Sequence, residues 1–179
     1  MKQRYITIIG SRDITLDELN LLKKIAGEFH KNGWILRSGG AHGSDSSINE
    51  FENVQIIIPW DGYNNFYPDY KRVWSLNKLP DRDLSADLVR KHHPHPEKLT
   101  QGMFKLHQRN IYQICGPYGV NTNELSELVI YCADMGTDGL PIGGTRTTIS
   151  IAAANHIPTY NIRIKLDLQN LLSLYGIEV

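Results

Sequence analysis

Short β-branched runs alternate with longer stretches of helical periodicity, and this alternation limits the possible fold more than any other feature. The apolar runs are bounded by glycine, proline or polar turns, which is typical of buried strands; they span about 5–9, 34–36, 54–58, 129–131 and 159–162. Helices are predicted between and after them, at about 16–31, 44–52, 70–79, 84–91, 99–115 and 147–155 and near the C-terminus. The pattern predicts an α/β fold, a parallel sheet of about five or more strands with helices on both faces.

Length and charge narrow the class of protein further. A chain of 179 residues fits one domain, and no linker or repeat divides it. The 19 basic and 19 acidic residues cancel, whereas proteins that coat nucleic acid usually carry a basic excess, so the balance argues against a nucleic-acid partner. The two cysteines form no metal-type pair, and no run resembles a signal peptide or a membrane span. We therefore expect a cytoplasmic protein without a membrane partner.

A glycine-rich loop, SGGAHGSD at 38–45, follows the second predicted strand and precedes a predicted helix. Glycine lets backbone N–H groups approach a ligand, and a helix N-terminus attracts an anion. The loop therefore fits either a tight turn or a phosphate cradle, although it is neither a GxGxxG motif nor a P-loop. Its predicted ligand-binding residues are Ser38, Gly39, Gly40, Gly43 and Asp45.

Three further segments carry candidate ligand residues: GSR at 10–12, Arg109-Asn110 within a predicted helix, and GGTRTT at 143–148. Each also has a plain structural explanation, as a solvated loop, a surface pair or a helix cap. Right-handed crossovers bring every strand-to-helix loop to one sheet edge, so two glycine-rich loops together predict a phosphate- or nucleotide-binding crevice. The predicted ligand-binding residues here are Gly10, Ser11, Arg12, Arg109, Asn110, Gly143, Gly144, Thr145 and Arg146.

Other kinds of chemistry find less support in the sequence. The histidines between residues 92 and 107 lack the spacing of a metal site, so no metal and no cofactor is predicted. No GxSxG motif indicates a serine nucleophile. An enzyme acting on a glycosidic bond would need a carboxylate near the sugar, and the predicted catalytic candidates are Asp45 and Glu50. Each of these acids also fits a cap or a solvated helix residue.

The order of the motifs GSR, SGGAHGSD, strand–Pro, RN, GGT and IPTYN resembles the SLOG superfamily of Rossmann-like proteins. This superfamily includes the Lonely Guy phosphoribohydrolases, DNA-processing protein A and small molybdenum-cofactor carriers; the likeness is greatest to its small bacterial and phage members. The resemblance covers about residues 5–161. It implies a Rossmann-like sheet, one nucleotide-binding domain over 1–179 with a helical and loop insertion at about 60–115, and a homo-oligomer.

The resemblance leaves three activities open. Lonely Guy enzymes carry GGxGTxxE with a catalytic glutamate, and this chain has Arg146 and Ser150 at the third glycine and the glutamate. The leading prediction is a protein that binds a nucleotide-like small molecule, and three activities are considered for it. One is hydrolysis of an N-glycosidic bond, with phosphate held by Arg12 and Arg146 and the ribose served by Asp45 or Glu50. The alternatives are non-catalytic capture of a signalling nucleotide, which the missing glutamate favours, and single-stranded DNA binding as in DNA-processing protein A.

Overall fold

A computed structural model describes residues 2–178 as one parallel sheet with helices packed on both sides. In chain order the elements are β1 (Tyr5–Gly10), α1 (Leu16–Lys31), β2 (Ile35–Ser38), β3 (Gln55–Ile58), β4 (Val73–Ser75), α2 (Arg82–His92), α3 (Gln101–Cys115), β5 (Leu128–Cys132), α4 (Thr145–Ala154), β6 (Thr159–Asn161) and α5 (Lys165–Tyr175). The six strands lie in the order β4-β3-β2-β1-β5-β6. The predicted α/β, Rossmann-like class is confirmed.

The order of the strands reverses between β1 and β5. From β1 the chain moves outward through β2, β3 and β4, and then returns to pair β5 with the other side of β1, with Ile6 beside Leu128 and Gly10 beside Cys132. The connections that leave β1 and β5 therefore diverge at the carboxyl edge of the sheet. Such a switch point is where open α/β sheets bind ligands.

Two apolar cores lie on opposite faces of the sheet. On one face α1 and α5 cover the strands, with Ile6 and Ile8 of β1 packed near Phe29 and Leu171. On the other face α2, α3 and α4 cover them, and Ile9 joins this second core. Because successive side chains of a strand point to opposite faces, a strand that is covered on both sides is apolar at most of its positions.

Helix α1 shows why the regular parts of the chain were predictable. Thr15 accepts a hydrogen bond from the Glu18 backbone, and the Glu18 carboxylate accepts one from the Thr15 backbone, which is a complete capping box. The helix begins directly after this cap, and its buried side chains recur at helical spacing; they are Leu22, Ile25, Ala26 and Phe29.

Two predicted helices take other forms. The segment 70–79 contains the edge strand β4 and a 3-10 turn at Leu76–Lys78, because Asp69 Oδ1 accepts three successive backbone N–H groups from residues 71–73 and Val73 pairs with Ile56. The segment 44–52 forms only a short 3-10 helix, Gly43–Ile48. Asp45 does not cap it, because its carboxylate accepts from residues earlier in the loop.

Candidate functional site

A cavity of about 560 Å³ lies at the switch point, between the ends of β1 and β5 and the helices α3 and α4. We refer to it as the crevice. Its wall combines the loop after β1, part of the loop after β2, one face of α3 and the start of α4. The lining residues are Ile9, Gly10, Ser11, Arg12, Asp13, Ala41, Asp45, Met103, Leu106, His107, Arg109, Asn110, Gln113, Ala133, Asp134, Ile142, Gly143, Gly144, Thr145 and Thr148.

A buried ion pair forms one part of the wall. Asp45 Oδ2 accepts from Arg109 Nη1 at 3.3 Å and from the backbone N–H groups of Gly39 and Ala41 at 3.1 and 3.2 Å. Burial raises the pKa of the Asp45 carboxyl, whereas the Arg109 charge and the backbone donors oppose that rise. Asp45 thus holds the glycine-rich loop against α3.

Polar side chains of α3 extend this network toward α4. The Asn110 amide donates to the Gly144 carbonyl at 3.1 Å, which ties α3 to the loop that begins α4. With its amide oriented to satisfy its neighbours, Gln113 accepts from the Gly39 N–H at 2.7 Å and donates to Asn110 Oδ1 at 3.1 Å. The glycine-rich loop, α3 and the start of α4 are therefore joined by hydrogen bonds.

Arg12 contributes a further cation to the crevice lining. Its Nη2 donates to the Tyr63 hydroxyl at 3.3 Å, and the Arg109 guanidinium lies 5.9 Å from the same ring. The loop that carries Arg12 is held by Gly43, where a Cβ would lie 2.5 Å from the Ser11 carbonyl oxygen. The Ser44 N–H donates to that same carbonyl at 3.0 Å.

The start of α4 contributes a buried threonine to the crevice lining. Thr148 is fully buried and lines the crevice, yet its Oγ1 has no hydrogen-bond partner within residues 2–178. One residue earlier, Thr147 bonds to His107 Nδ1 at 2.9 Å. Burial, with smaller effects of His93 and Arg109, lowers the His107 pKa to about 4, so this imidazole is neutral at pH 7.

The structure brings most of the predicted ligand residues together. Those that line the crevice are Gly10, Ser11, Arg12, Asp45, Arg109, Asn110, Gly143, Gly144 and Thr145. Gly39, Gly40 and Gly43 support the wall from behind, and the Ser38 hydroxyl donates to the Ile8 carbonyl inside the sheet.

Two predicted residues are engaged elsewhere. Arg146 pairs with Asp138 at 2.6 Å in its own loop and does not line the crevice. Glu50 pairs with Lys23 of α1 at 2.6 Å and is also outside the crevice lining, so the sugar-binding role predicted for it finds no support in its position.

Sequence reasoning missed most of the α3 contribution. Met103, Leu106, His107, Asn110 and Gln113 all line the crevice, and only Asn110 among them was predicted. Their spacing of three and four residues marks one helix face, which was a usable signal. Asp134, in the loop after β5, was missed as well, whereas Thr148 belongs to the GGTRTT segment that the sequence had singled out.

Comparison with known proteins assigns the family. The model of the family described as DNA recombination-mediator protein A matches residues 1–98, which is more than half of the chain. The chain belongs to this family. Since the family is part of the SLOG superfamily, the predicted SLOG membership is confirmed. A search of curated protein sequences found no match.

Two solved structures share the fold. One is DNA processing protein A from Helicobacter pylori, described for its single-stranded DNA binding mode; it has a TM-score of 0.60 and 18% identity over 98% of this chain and 74% of that protein. The other is DNA processing protein A from Streptococcus pneumoniae, with a TM-score of 0.50 and 18% identity over 97% of this chain. This chain spans only 54% of the Streptococcus protein.

These findings correct one prediction. The balanced charge argued against a nucleic-acid partner, and that prediction is wrong, because the family is one of DNA recombination mediators and the Helicobacter relative binds single-stranded DNA. Within residues 2–178, no helix combines the length and the apolar composition of a membrane span, and no three His, Cys, Asp or Glu side chains cluster as a metal site requires.

Proposed function

We propose that the protein binds single-stranded DNA and holds a backbone phosphate in the crevice. The observation that carries this proposal is Thr148, a residue of the crevice lining whose buried hydroxyl has no hydrogen-bond partner among residues 2–178. An unsatisfied buried polar group costs about 1–3 kcal/mol, so a ligand oxygen that reaches this hydroxyl would be stabilising. A phosphate oxygen would supply the missing partner.

The charges around the crevice favour a phosphate bound by local contacts rather than by a broad positive field. Arg12 lines the crevice and the backbone N–H groups at the start of α4 add partial positive charge. Asp13 and Asp134 also line it, and Asp45 already neutralises Arg109. The site therefore suits one phosphate held by hydrogen bonds more than a row of phosphates.

An aromatic segment next to the crevice suits unpaired bases. We call residues 60–67 the aromatic loop; it packs on the glycine-rich loop, where the Asn64 amide donates to the Gly40 carbonyl at 2.8 Å. Tyr63 contacts Arg12 there, whereas the Tyr67 side chain is 70% exposed. Proteins that bind single strands commonly stack bases on exposed aromatic rings, at about 1–3 kcal/mol per base.

Family membership and the Helicobacter relative support the same proposal, since that relative was described for single-stranded DNA binding and shares the fold over 98% of this chain. Binding of a free nucleotide is the second candidate, because a cavity of about 560 Å³ is in the range of small-molecule pockets. The N-glycosidic hydrolysis considered from sequence is the weaker form of that candidate, since Asp45 Oδ2 is occupied by three donors and Glu50 lies outside the crevice.

Fluorescence anisotropy with a labelled single-stranded oligonucleotide tests the proposal. We expect saturable binding that Arg12→Ala weakens about tenfold and that Thr148→Val also weakens, because each substitution removes a phosphate partner. Lys31→Ala is the charge-matched control, since Lys31 is exposed at the far end of α1 and should leave affinity unchanged.

Competitors separate the two candidates. An unlabelled single strand should displace the labelled one, whereas a nucleoside monophosphate should do so weakly. If the nucleotide competes as well as the strand, the free-nucleotide candidate replaces ours, and chromatography of the recovered nucleotide then tells binding from cleavage. Absence of binding to any single strand would overturn the proposal.

A further inference from the structure

The face of α3 that lines the crevice changes its chemistry along the helix. Met103 and Leu106 occupy its first turns, and His107, Asn110 and Gln113 follow deeper in the fold. Met103 is 47% exposed, whereas Asn110 and Gln113 are buried in the hydrogen-bond network. Along α3 the lining thus changes from apolar near the surface to polar in the interior.

Another apolar side chain joins this lining from a different element. Ile142 directly precedes the glycines that begin α4, lines the crevice and is 61% exposed. Its backbone is fixed, because its N–H donates to the Asp134 carbonyl at 2.9 Å. Isolated exposed apolar residues are ordinary on a protein surface, but these two line the same crevice, where one ligand can contact both.

We propose that Met103 and Ile142 form a slot for a single nucleobase, the base of the nucleotide whose phosphate reaches Arg12 and Thr148. This inference rests on the proposed function and adds where a base is held. A nucleotide matches this arrangement of apolar and phosphate-binding residues, because it has an apolar base face at one end and an anionic phosphate at the other. Aliphatic side chains contact the face of any base, so the slot would accept bases without reading their sequence.

The test compares two single strands of equal length in anisotropy titrations, a labelled oligothymidylate and an abasic strand with the same number of phosphates. We expect the double variant Met103→Ala/Ile142→Ala to lose about tenfold in affinity for oligothymidylate, because it removes the two apolar side chains that contact the base. Its affinity for the abasic strand should stay at the wild-type value. Both side chains are exposed, so the fold should tolerate the substitutions.

Leu84→Ala is the matched control, because Leu84 is an exposed apolar residue of α2 outside the crevice lining. The possible failures are distinct. If the double variant binds both strands as the wild type does, the base slot is overturned while single-strand binding stands. If the double variant loses affinity for both strands equally, the slot is also overturned, because the loss would not depend on a base. If the wild type binds neither strand, the proposed function itself fails.

Discussion

At Gly39 the missing side chain makes room for an arginine. A Cβ at this position would overlap the Arg109 guanidinium, which instead reaches past the loop to Asp45. The sequence predicted Gly39, Asp45 and Arg109 as separate ligand contacts. In the fold they are one buried unit, because α3 brings an arginine from 64 positions away in the chain to the glycine-rich loop. Such a pairing depends on tertiary packing and carries no local signal.

The Asp45–Arg109 pair should matter more for stability than its own pairing energy suggests. Asp45→Ala leaves Arg109 charged and buried, and the expected loss in the free energy of unfolding is about 3 kcal/mol, measured by urea denaturation. Adding Arg109→Met should recover part of that loss, since the unpaired charge is then gone. Asp138→Ala, which breaks an exposed pair with Arg146, is the control and should leave the urea midpoint nearly unchanged. Equal losses in the single and double variants would contradict this account.

Gly43 and Gly139 separate two reasons for requiring glycine. Both have positive φ, +73° and +76°, but only at Gly43 would a Cβ collide with backbone, at 2.5 Å from the Ser11 oxygen; at Gly139 it meets nothing within 4 Å. Gly139→Ala should therefore cost about 1 kcal/mol for backbone strain alone. Gly43→Ala should cost at least twice as much in thermal or urea unfolding and should weaken ligand binding, because the loop carrying Arg12 must move. Equal losses of stability in the two variants would show that the contact between residue 43 and the Ser11 carbonyl is not tight.

At the scale of elements, prediction succeeded where a local signal agreed with burial. The predicted helix at 16–31 is confirmed to the residue, because a capping box and an apolar face of period 3.6 both mark it. The helix predicted at 70–79 was wrong because no local signal marks the structure that forms there. Its three-residue strand exists through pairing with β3, and Asp69 fixes the preceding turn. A three-residue edge strand has too few positions to show a period.

The start of α1 is tied to the loops after β1, β5 and β6 by one arginine. Arg163 donates to Glu18 at 2.7 Å, to Asp134 at 2.8 Å and to the Asp13 carbonyl at 3.0 Å. The Arg163 hydrogen bond is the largest cause that lowers the Glu18 pKa from 4.5 to about 2. This contact stabilises the fold while Glu18 is ionised, so the contribution is complete above pH 4.5 and is lost as pH falls toward 2.

Glu18→Gln tests this linkage, because glutamine can keep the capping box and only the charge is removed. We expect the variant to be less stable than wild type at pH 7 by about 1 kcal/mol, given partial solvent screening, and the difference to shrink as pH falls below 4.5. Urea unfolding at several pH values measures it. Asp17→Asn is the control, because it removes a charge from the same helix turn but leaves the Arg163–Glu18 contact in place, and it should cost less stability at pH 7. A difference that stays constant down to pH 3 would contradict the assignment.

For the whole molecule, the topology was the best guide to the site and the charge was the poorest. The rule that strand-to-helix loops share one edge correctly brought GSR, SGGAHGSD and GGT to one crevice. Net charge misled because it averages 19 acids and 19 bases over the whole surface, whereas a ligand meets only the few groups that line the crevice. The homo-oligomer implied by the resemblance stays a prediction.

The balanced charge predicts that the affinity for single-stranded DNA depends only weakly on salt. A protein that neutralises one phosphate releases few counterions, so the affinity for single-stranded DNA should fall with salt with a slope of only about −0.7 in log–log form. Arg12→Ala should make that slope less steep by about 0.7, which is the share of one phosphate contact. Anisotropy titrations over a range of salt concentrations measure both slopes. A wild-type slope several times steeper would show that a wider set of basic residues takes part.

The central position of β1 has a consequence for how the chain is made. Its first neighbour, β2, follows within about thirty residues, but its second, β5, pairs through contacts such as Ile6 with Leu128. A chain emerging from the ribosome can therefore assemble β1–β4 while one edge of β1 still lacks its partner. During that interval a central strand behaves as an edge, open to other unfinished chains. Slowed synthesis before residue 128 should thus favour aggregation of nascent protein, even though the finished sheet protects the same strand completely.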